Sequence, residues 1–172
     1  LTFIMDLYNR EIVGCSASDN LRTENTTIPA LYRVIKERGK LNLKGAIMHS
    51  DGGGQYYCKE FKTLTKEMEM VNSMTEEKVY ENSHAERLNG IIKNNYLYPY
   101  GPTSKTSLKK LLDKAVLMYN TGKPHKALGK LTPIMYKSIA DANDSFLIQN
   151  PLSTVNRIKK RSLIINKKVN VI

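Results

Sequence analysis

The stretch at residues 49–61, HSDGGGQYYCKEF, constrains the fold more than any other part of the chain. It follows the short apolar run 46–48 and places Asp51 and three glycines directly before a segment with helical spacing. The apolar residues that share one face of that segment are Tyr57, Phe61, Leu64 and Met68. The pattern predicts a strand, a glycine turn and a helix, with Asp51 at the carboxyl end of the strand, where α/β sheets bind ligands. A plain strand followed by an Asp-Gly turn would show the same pattern.

A second informative stretch is ENSHAERLNGIIKNNYL at residues 81–97. With about 100° per residue in a helix, four residues fall within roughly 60° of Glu86: Asn82, Asn89, Gly90 and Lys93. The opposite arc is apolar and consists of Ala85, Leu88, Ile91, Ile92 and Tyr96. The stretch therefore predicts a helix that buries one face and presents a narrow stripe with one carboxylate, two carboxamides and a lysine. An ordinary solvated helix face is the alternative interpretation.

Both stretches resemble the catalytic core of insertion-sequence transposases that are related to retroviral integrases, the Asp-Asp-Glu recombinases of the ribonuclease H-like fold. HSDGGGQY is similar to the second-aspartate motif of that family, and ENSHAERLNGIIK is similar to its glutamate motif. Glu86 follows Asp51 by 35 positions, as in the family pattern. A third match is YNTGKPHKALGKLTP at residues 119–133, and the resemblance extends over roughly residues 1–136.

The resemblance implies the fold class, an α/β fold with a ribonuclease H-like mixed sheet flanked by helices. Residues 1–140 would form an integrase-type catalytic core, and residues 141–172 a basic C-terminal tail. The early segment IMDLYNREIVG is similar to the second strand of the family and the turn after it. The chain would therefore be an N-terminally truncated fragment that lacks the first strand and the catalytic aspartate on it.

The resemblance also implies a catalytic metal site. In the family, the residues that match Asp51 and Glu86 are metal ligands together with the first aspartate, and they hold two magnesium or manganese ions. Magnesium prefers oxygen ligands, and two such ions can activate the attacking oxygen and stabilise the leaving oxygen at a phosphodiester. Asp6 matches a hairpin-turn residue; the alternative is that Asp6 is itself the remaining ligand.

The other candidate residues are expected to bind DNA. Lys93 matches the family lysine that contacts DNA phosphate near the cleaved end. Asn82 and Asn89 match polar positions that flank the glutamate, and the alternative to a DNA contact is that they order the neighbouring loop. The chain carries 27 Lys and Arg against 16 Asp and Glu, a net charge of +11, which favours a polyanionic partner. Part of this charge lies in a late cluster formed by Arg157, Lys159, Lys160 and Arg161.

Other features of the sequence limit the classes of protein to which the chain can belong. The chain has no run of about 18 apolar residues, so we expect no membrane span. Two cysteines, Cys15 and Cys58, give no disulfide framework, which favours a reduced compartment, here the bacterial cytoplasm near the nucleoid. The spacing of the three histidines does not suggest a zinc site, and we expect His49 to support its strand.

Together these features predict a DNA transposase or integrase core that performs metal-dependent phosphodiester cleavage and strand transfer. Its partners would be transposon ends, target DNA and further copies of itself assembled on DNA. Two alternatives stay open: a nuclease of the same fold, and a non-catalytic DNA-binding remnant of a transposase. Without the first aspartate, the fragment alone would not cut DNA.

Hydrophobic patterning predicts the order of elements. The first half of the chain is predicted to contain a hairpin over residues 1–17, a helix over 24–39, a strand over 45–50, a helix over 57–68 and a short strand over 71–74. A loop over residues 75–80 then leads to the helix of Glu86. The next helix runs from the cap at Thr103 or Ser104 to residue 121, and a short helix covers residues 132–140. Interleaved basic and apolar residues near the end fit either a basic arm or two short strands packed on another part of the protein.

Overall fold

The computed structural model describes residues 1–74, 83–149 and 162–166, with side chains for residues 1–74 and 83–142. These residues form a five-stranded mixed sheet with helices on both faces. The strands are, in chain order, β1 (Thr2–Asp6), β2 (Ile12–Ser16), β3 (Ile47–Ser50), β4 (Val71–Met74) and β5 (Ser162–Asn166). Their order across the sheet is β2-β1-β5-β3-β4. The predicted α/β fold with a mixed, helix-flanked sheet is confirmed.

β1 and β2 form the antiparallel hairpin that the sequence predicts. Both strands are buried along their whole length, which fits the apolar and β-branched residues in TFIMD and IVGCS. The backbone N–H of Asp6 donates to the carbonyl oxygen of Glu11 at 2.8 Å and closes the turn. Within the turn, Arg10 takes a left-handed conformation with a φ of 62°.

β5 lies in the middle of the sheet, between β1 and β3. It pairs antiparallel to β1 and parallel to β3, with Ser162 opposite Ile47 and Ile165 opposite Ser50. The segment 141–172, interpreted above as a basic tail, thus supplies one strand to the middle of the sheet. A division of the chain into a core and a tail stays a prediction.

The helices of the described residues are α1 (Thr27–Leu43), α2 (Lys59–Glu67), α3 (Ser83–Ile92), α4 (Lys105–Gly122) and α5 (Pro133–Gln149). Gly39, the predicted end of α1, has a φ of 70° and marks a kink, after which the helix continues. α4 begins at the predicted cap, where the Ser104 hydroxyl accepts the N–H of Ser107. α5 continues past the predicted end near residue 140. None of the described helices is both long and apolar enough to cross a bilayer.

Two apolar clusters lie on opposite faces of the sheet. One joins Ile4 of β1 to α1 and α2, and the other joins Phe3 and Met5 of β1 to α3 and α4. Alternation along β1 explains this division, because neighbouring side chains of a strand point to opposite faces. The second cluster fixes α3, which carries Glu86.

The helix after the glycine turn differs from the prediction at its start. A 3-10 turn at Gly54–Tyr56 precedes α2, so the helix begins at Lys59. Tyr56 is buried with 4% of its surface exposed and packs edge-on against Phe61, whereas Tyr57 is 39% exposed. The prediction that Tyr57 lies on the buried face is therefore wrong, because it extended a regular helix into the 3-10 turn.

Candidate active site

Asp51 follows β3 directly and begins the glycine turn. Its Oδ1 accepts a hydrogen bond from the backbone N–H of Gly53 at 3.3 Å, and the side chain is half-buried. A Cβ atom at Gly53 would lie 3.0 Å from that Oδ1 and 2.6 Å from Nε2 of Gln55. The turn therefore folds closely around the carboxylate, at a position that suits glycine.

His49 stands two residues before Asp51 and contributes to strand pairing. Its Nδ1 lies 3.1 Å from the hydroxyl oxygen of Ser73, the residue opposite it on the neighbouring strand β4. This contact confirms that His49 supports its strand.

Glu86 lies in the first turn of α3, and its side chain is exposed. The helix buries Ala85, Leu88 and Ile92 and contacts both β1 and β5. β5 is the immediate neighbour of β3, which carries Asp51 at its end. Packing therefore holds Glu86 on a rigid helix that contacts β5, the strand next to that of Asp51.

Asn89 does not lie on the exposed stripe that the helical wheel predicts. Only 5% of its surface is exposed, and neither its amide oxygen nor its amide nitrogen has a hydrogen-bond partner among the described residues. On the wheel it stands at the border of the apolar arc, and the packing of α3 includes this border in the buried face. The predicted direct contact between Asn89 and DNA is therefore not supported, because the side chain is buried.

Lys93 follows α3 and begins a π-helical turn at Lys93–Leu97. The side chain is half-buried, and this burial lowers the pKa of its ammonium group from the ordinary value. On the wheel it lies about 20° from Glu86, on the same side of the helix axis. The π turn widens the helix just there, a distortion that often occurs at functional sites.

Asp6 is neither a simple turn residue nor a neighbour of Asp51. Its Oδ2 accepts a hydrogen bond from Nη2 of Arg38 at 3.3 Å, and the same nitrogen donates to Oε2 of Glu11 at 2.5 Å. All three side chains are buried. Asp6 also accepts the backbone N–H of Tyr8 at 3.0 Å. The carboxylate is thus committed to a buried ion-pair network.

The register of the sheet separates Asp6 from Asp51. Asp6 lies opposite Leu163, which lies opposite Met48, whereas Asp51 comes after Ser50 at the other end of the strand. Because β1 and β3 run in opposite directions, their carboxyl ends meet opposite edges of the sheet. The alternative in which Asp6 is the third metal ligand is therefore not supported.

The remaining predicted site residues lie outside the described residues: Asn82, Arg157, Lys159, Lys160 and Arg161. Within the described ranges, no three His, Cys, Asp or Glu side chains lie close enough together to hold a metal ion. Asp51 and Glu86 nevertheless offer the carboxylate oxygens that a hard cation prefers, so the donor set fits magnesium in kind.

The third motif, residues 119–133, has a structural role that sequence reasoning does not reveal. The side-chain amide of Asn120 accepts the N–H of Ile12 and donates to its carbonyl oxygen, both at 2.9 Å. The Tyr119 ring packs edge-on against His125 with centroids 5.3 Å apart, and the His125 backbone pairs with Leu131. The motif thus attaches α4 to β2 and shapes the loop after α4.

Comparisons with known proteins agree with this arrangement. Residues 71–133 match the family model of the integrase core domain. The 31 kDa protein of insertion element IS600 from Shigella sonnei is 26% identical over 139 residues, which cover 80% of this chain and 50% of that protein. InsK of Escherichia coli strain K12, named as a transposase of insertion element IS150, is 27% identical over 140 residues, 80% of this chain and 48% of that protein. The chain thus spans about half the length of these relatives.

Solved structures show the same fold. The catalytic core domain of HTLV-2 integrase, in complex with magnesium in its trimeric form, has a TM-score of 0.59 at 20% identity, covering 77% of this chain and 81% of that one. A chain of the simian T-cell lymphotropic virus intasome has a TM-score of 0.57 at 19% identity, covering 69% of this chain and 41% of that one. Residues 71–133 thus match the integrase core domain, and the chain as a whole is similar to proteins of insertion elements, one of them named as a transposase.

Proposed function

We propose that this core supplies two catalytic metal ligands, Asp51 and Glu86, to a transposase that cleaves phosphodiester bonds at transposon ends and joins the freed 3′ ends to target DNA. The observation that carries the proposal is the position of the two carboxylates. Asp51 directly follows β3, and Glu86 lies on α3, which packs on the strand beside β3. Carboxylates on two rigid, neighbouring elements can be held in the geometry that a metal site demands.

A divalent cation fits the oxygen donors of Asp51 and Glu86. We propose two magnesium or manganese ions, which when bound would polarise the phosphodiester and stabilise the attacking and leaving oxygens. The magnesium in the HTLV-2 integrase core, a protein of the same fold, supports a divalent cation.

The chain's own side chains position the substrate around the carboxylates. The N–H of Gly53 orients Asp51 through its 3.3 Å hydrogen bond. Lys93 lies on the same side of α3 as Glu86 and would bind a DNA phosphate next to the reacting bond. The glycine turn presents few side chains, so a DNA strand can approach the backbone at Gly52 and Gly54, where a Cβ would meet nothing within 4 Å.

We propose DNA as the main partner, with further copies of the protein assembled on it in the nucleoid. The net charge of +11 supports a polyanionic partner. The fold similarity to an intasome chain supports assembly on DNA. Asn82 and the late cluster Arg157, Lys159, Lys160 and Arg161 stay proposed DNA contacts.

Metal binding tests the proposed ligands apart from activity. Calorimetric titration of the chain with manganese should show binding, and Asp51→Asn and Glu86→Gln should each weaken the affinity by at least about tenfold. Loss of a group that only supports a metal ligand already weakens metal affinity by about that factor, and loss of a ligand should cost no less. Glu67→Gln in α2 is the matched control, since this carboxylate is exposed on the other face of the sheet. Equal affinities for all four proteins would refute the assignment.

The reaction type is tested with the whole transposase on a matched transposon end. The proposal predicts both end cleavage and strand joining, and both are lost in Asp51→Asn and Glu86→Gln. Cleavage without joining would favour a nuclease of the same fold. Metal-independent DNA binding without either reaction would favour a non-catalytic remnant.

A further inference from the structure

A pocket of about 430 Å³ lies between α3 and the loop that follows α4. Its floor is apolar and consists of Met5, Leu88, Ile91 and Tyr119. Its polar lining is basic and consists of Arg10, Arg87, Lys123, Lys126, His84 and His125. The fold thus brings together cations from the β1–β2 turn, from α3 and from the third motif.

The pocket is separate from the candidate active site. His84, Arg87, Leu88 and Ile91 recur at the spacing of one helix face, and this face is centred roughly 150° from Glu86 on the wheel. α3 therefore presents its carboxylate and Lys93 on one side and the basic pocket on another.

The positive charge of the pocket is not balanced by the described residues. Its described lining contains no Asp or Glu, and none of its four Arg and Lys side chains forms an ion pair with a described carboxylate. Arg38, in contrast, contacts both Asp6 and Glu11. Like charges gathered in a concavity repel each other and raise the local potential, which attracts an anion.

Hydrogen-bonding groups in the pocket are also available. Nε2 of His125 is buried and has no partner among the described residues. Nη1 of Arg10 lies 3.3 Å from Nδ1 of His84, so the Arg10 side chain is aimed at the N-terminal turn of α3. Buried polar atoms in native proteins are normally hydrogen-bonded, which makes Nε2 a site for a ligand atom.

We propose that this pocket binds a phosphate group of the DNA backbone. Arg and Lys side chains are the usual partners of DNA phosphates, and the apolar floor offers contact to the adjoining deoxyribose. The choice of DNA as the source of the phosphate rests on the proposed function. The pocket would hold the duplex at a distance from the reacting bond and fix its direction across α3.

The test compares two double variants with equal loss of charge. Lys123→Gln/Lys126→Gln removes two cations from the pocket, and Lys40→Gln/Lys66→Gln removes two exposed lysines from α1 and α2 on the other face of the sheet. Binding of a duplex oligonucleotide is followed by fluorescence anisotropy over a range of salt concentrations. The pocket variant should lower the salt slope by roughly 0.9, the value for one phosphate that the protein no longer neutralises, while the control keeps the wild-type slope.

A second arm titrates wild-type protein with inorganic phosphate and follows the His125 imidazole by NMR. The proposal predicts a saturable shift that the pocket variant weakens and the control keeps. If phosphate shifts the His125 signal but the salt slope of DNA binding is the same in the pocket variant as in the wild type, DNA is not the source of the phosphate, although it remains the proposed partner. If phosphate shifts the signal but the wild-type protein does not bind DNA, both DNA as the source and the proposed DNA partner are refuted. No shift and no change of slope would overturn the pocket itself.

Discussion

Arg38 shows at the scale of single residues how the fold uses its buried charges. Its guanidinium nitrogen bonds both Asp6 and Glu11, and Lys137 approaches Glu11 to 3.8 Å. An unpaired buried carboxylate is costly, because the protein interior cannot replace the water that would solvate it. The network therefore ties α1 to the β1–β2 turn and gives Asp6 a structural role.

Arg38→Met should lower the free energy of unfolding by about 3–5 kcal/mol, because it removes the buried guanidinium that bonds both Asp6 and Glu11. Urea denaturation measures the change. Arg22→Met is the control, since the pair of Arg22 with Glu24 is exposed and 3.9 Å long, and should cost about 0–1 kcal/mol. Equal effects of the two substitutions would contradict a stabilising role of the network.

Gly53→Ala tests the turn around Asp51. The new Cβ would approach the Asp51 carboxylate to 3.0 Å and must displace it or the flexible end of Gln55. We expect weaker manganese binding with little change in fold stability. Gly52→Ala is the matched control, because its Cβ would meet nothing within 4 Å. If both variants bind manganese like the wild type, the turn does not position the carboxylate.

At the scale of elements, the third motif attaches α4 to β2. Asn120→Ala removes both hydrogen bonds to Ile12 and leaves a buried N–H and C=O unpaired. We expect a decrease of about 1–3 kcal/mol in the free energy of unfolding. Thr121→Ala next to it is the control, because the Thr121 hydroxyl bonds only the Leu117 carbonyl one turn earlier on an exposed surface. A decrease no larger than that of the control would contradict the attachment.

Element types follow from the sequence wherever the hydrophobic period is local. The hairpin, β3, β4 and the capped start of α4 are of this kind. The burial of Tyr56 in place of Tyr57 is missed because a 3-10 turn breaks the helical period. Asn89 is missed because the wheel does not show how α3 is rotated against the sheet. β5 is missed because its apolar run is surrounded by basic residues, so that charge dominates the pattern.

At the scale of the whole molecule, the placement of Asp51 after a strand and of Glu86 on a helix was predictable, whereas the packing around them was not. Asp51 and Glu86 follow from motifs that are continuous in the sequence. The Arg38 network and the basic pocket join residues from distant parts of the chain, for example Arg10 with His84 and Lys123. No periodicity signals such contacts, because they depend on how the elements pack.

Acidification should destabilise the fold partly through His125. Burial first, and then the neighbouring Lys123, Arg10 and Arg87, lower its pKa below the ordinary 6.5. The folded state therefore favours the neutral imidazole, and the unfolded state takes up the proton first as the pH falls. The stability that depends on neutral His125 is present above about pH 6.5 and is lost as the pH falls below it through the lowered pKa of the folded state. Urea denaturation at a series of pH values below about 6.5 gives the dependence of the free energy of unfolding on pH. This dependence should be less steep for His125→Asn than for the wild type, and an unchanged dependence would contradict the expectation.

The proposed function depends on Asp51 and Glu86 holding one cation site between them. Paramagnetic broadening of backbone NMR signals by substoichiometric manganese tests this arrangement, because the effect reports distance from the bound ion. We expect simultaneous broadening at residues 52–54 and 84–87, and loss of both effects in Asp51→Asn and in Glu86→Gln. Broadening confined to one of the two segments, or surviving at either segment when the other carboxylate is removed, would contradict a shared site.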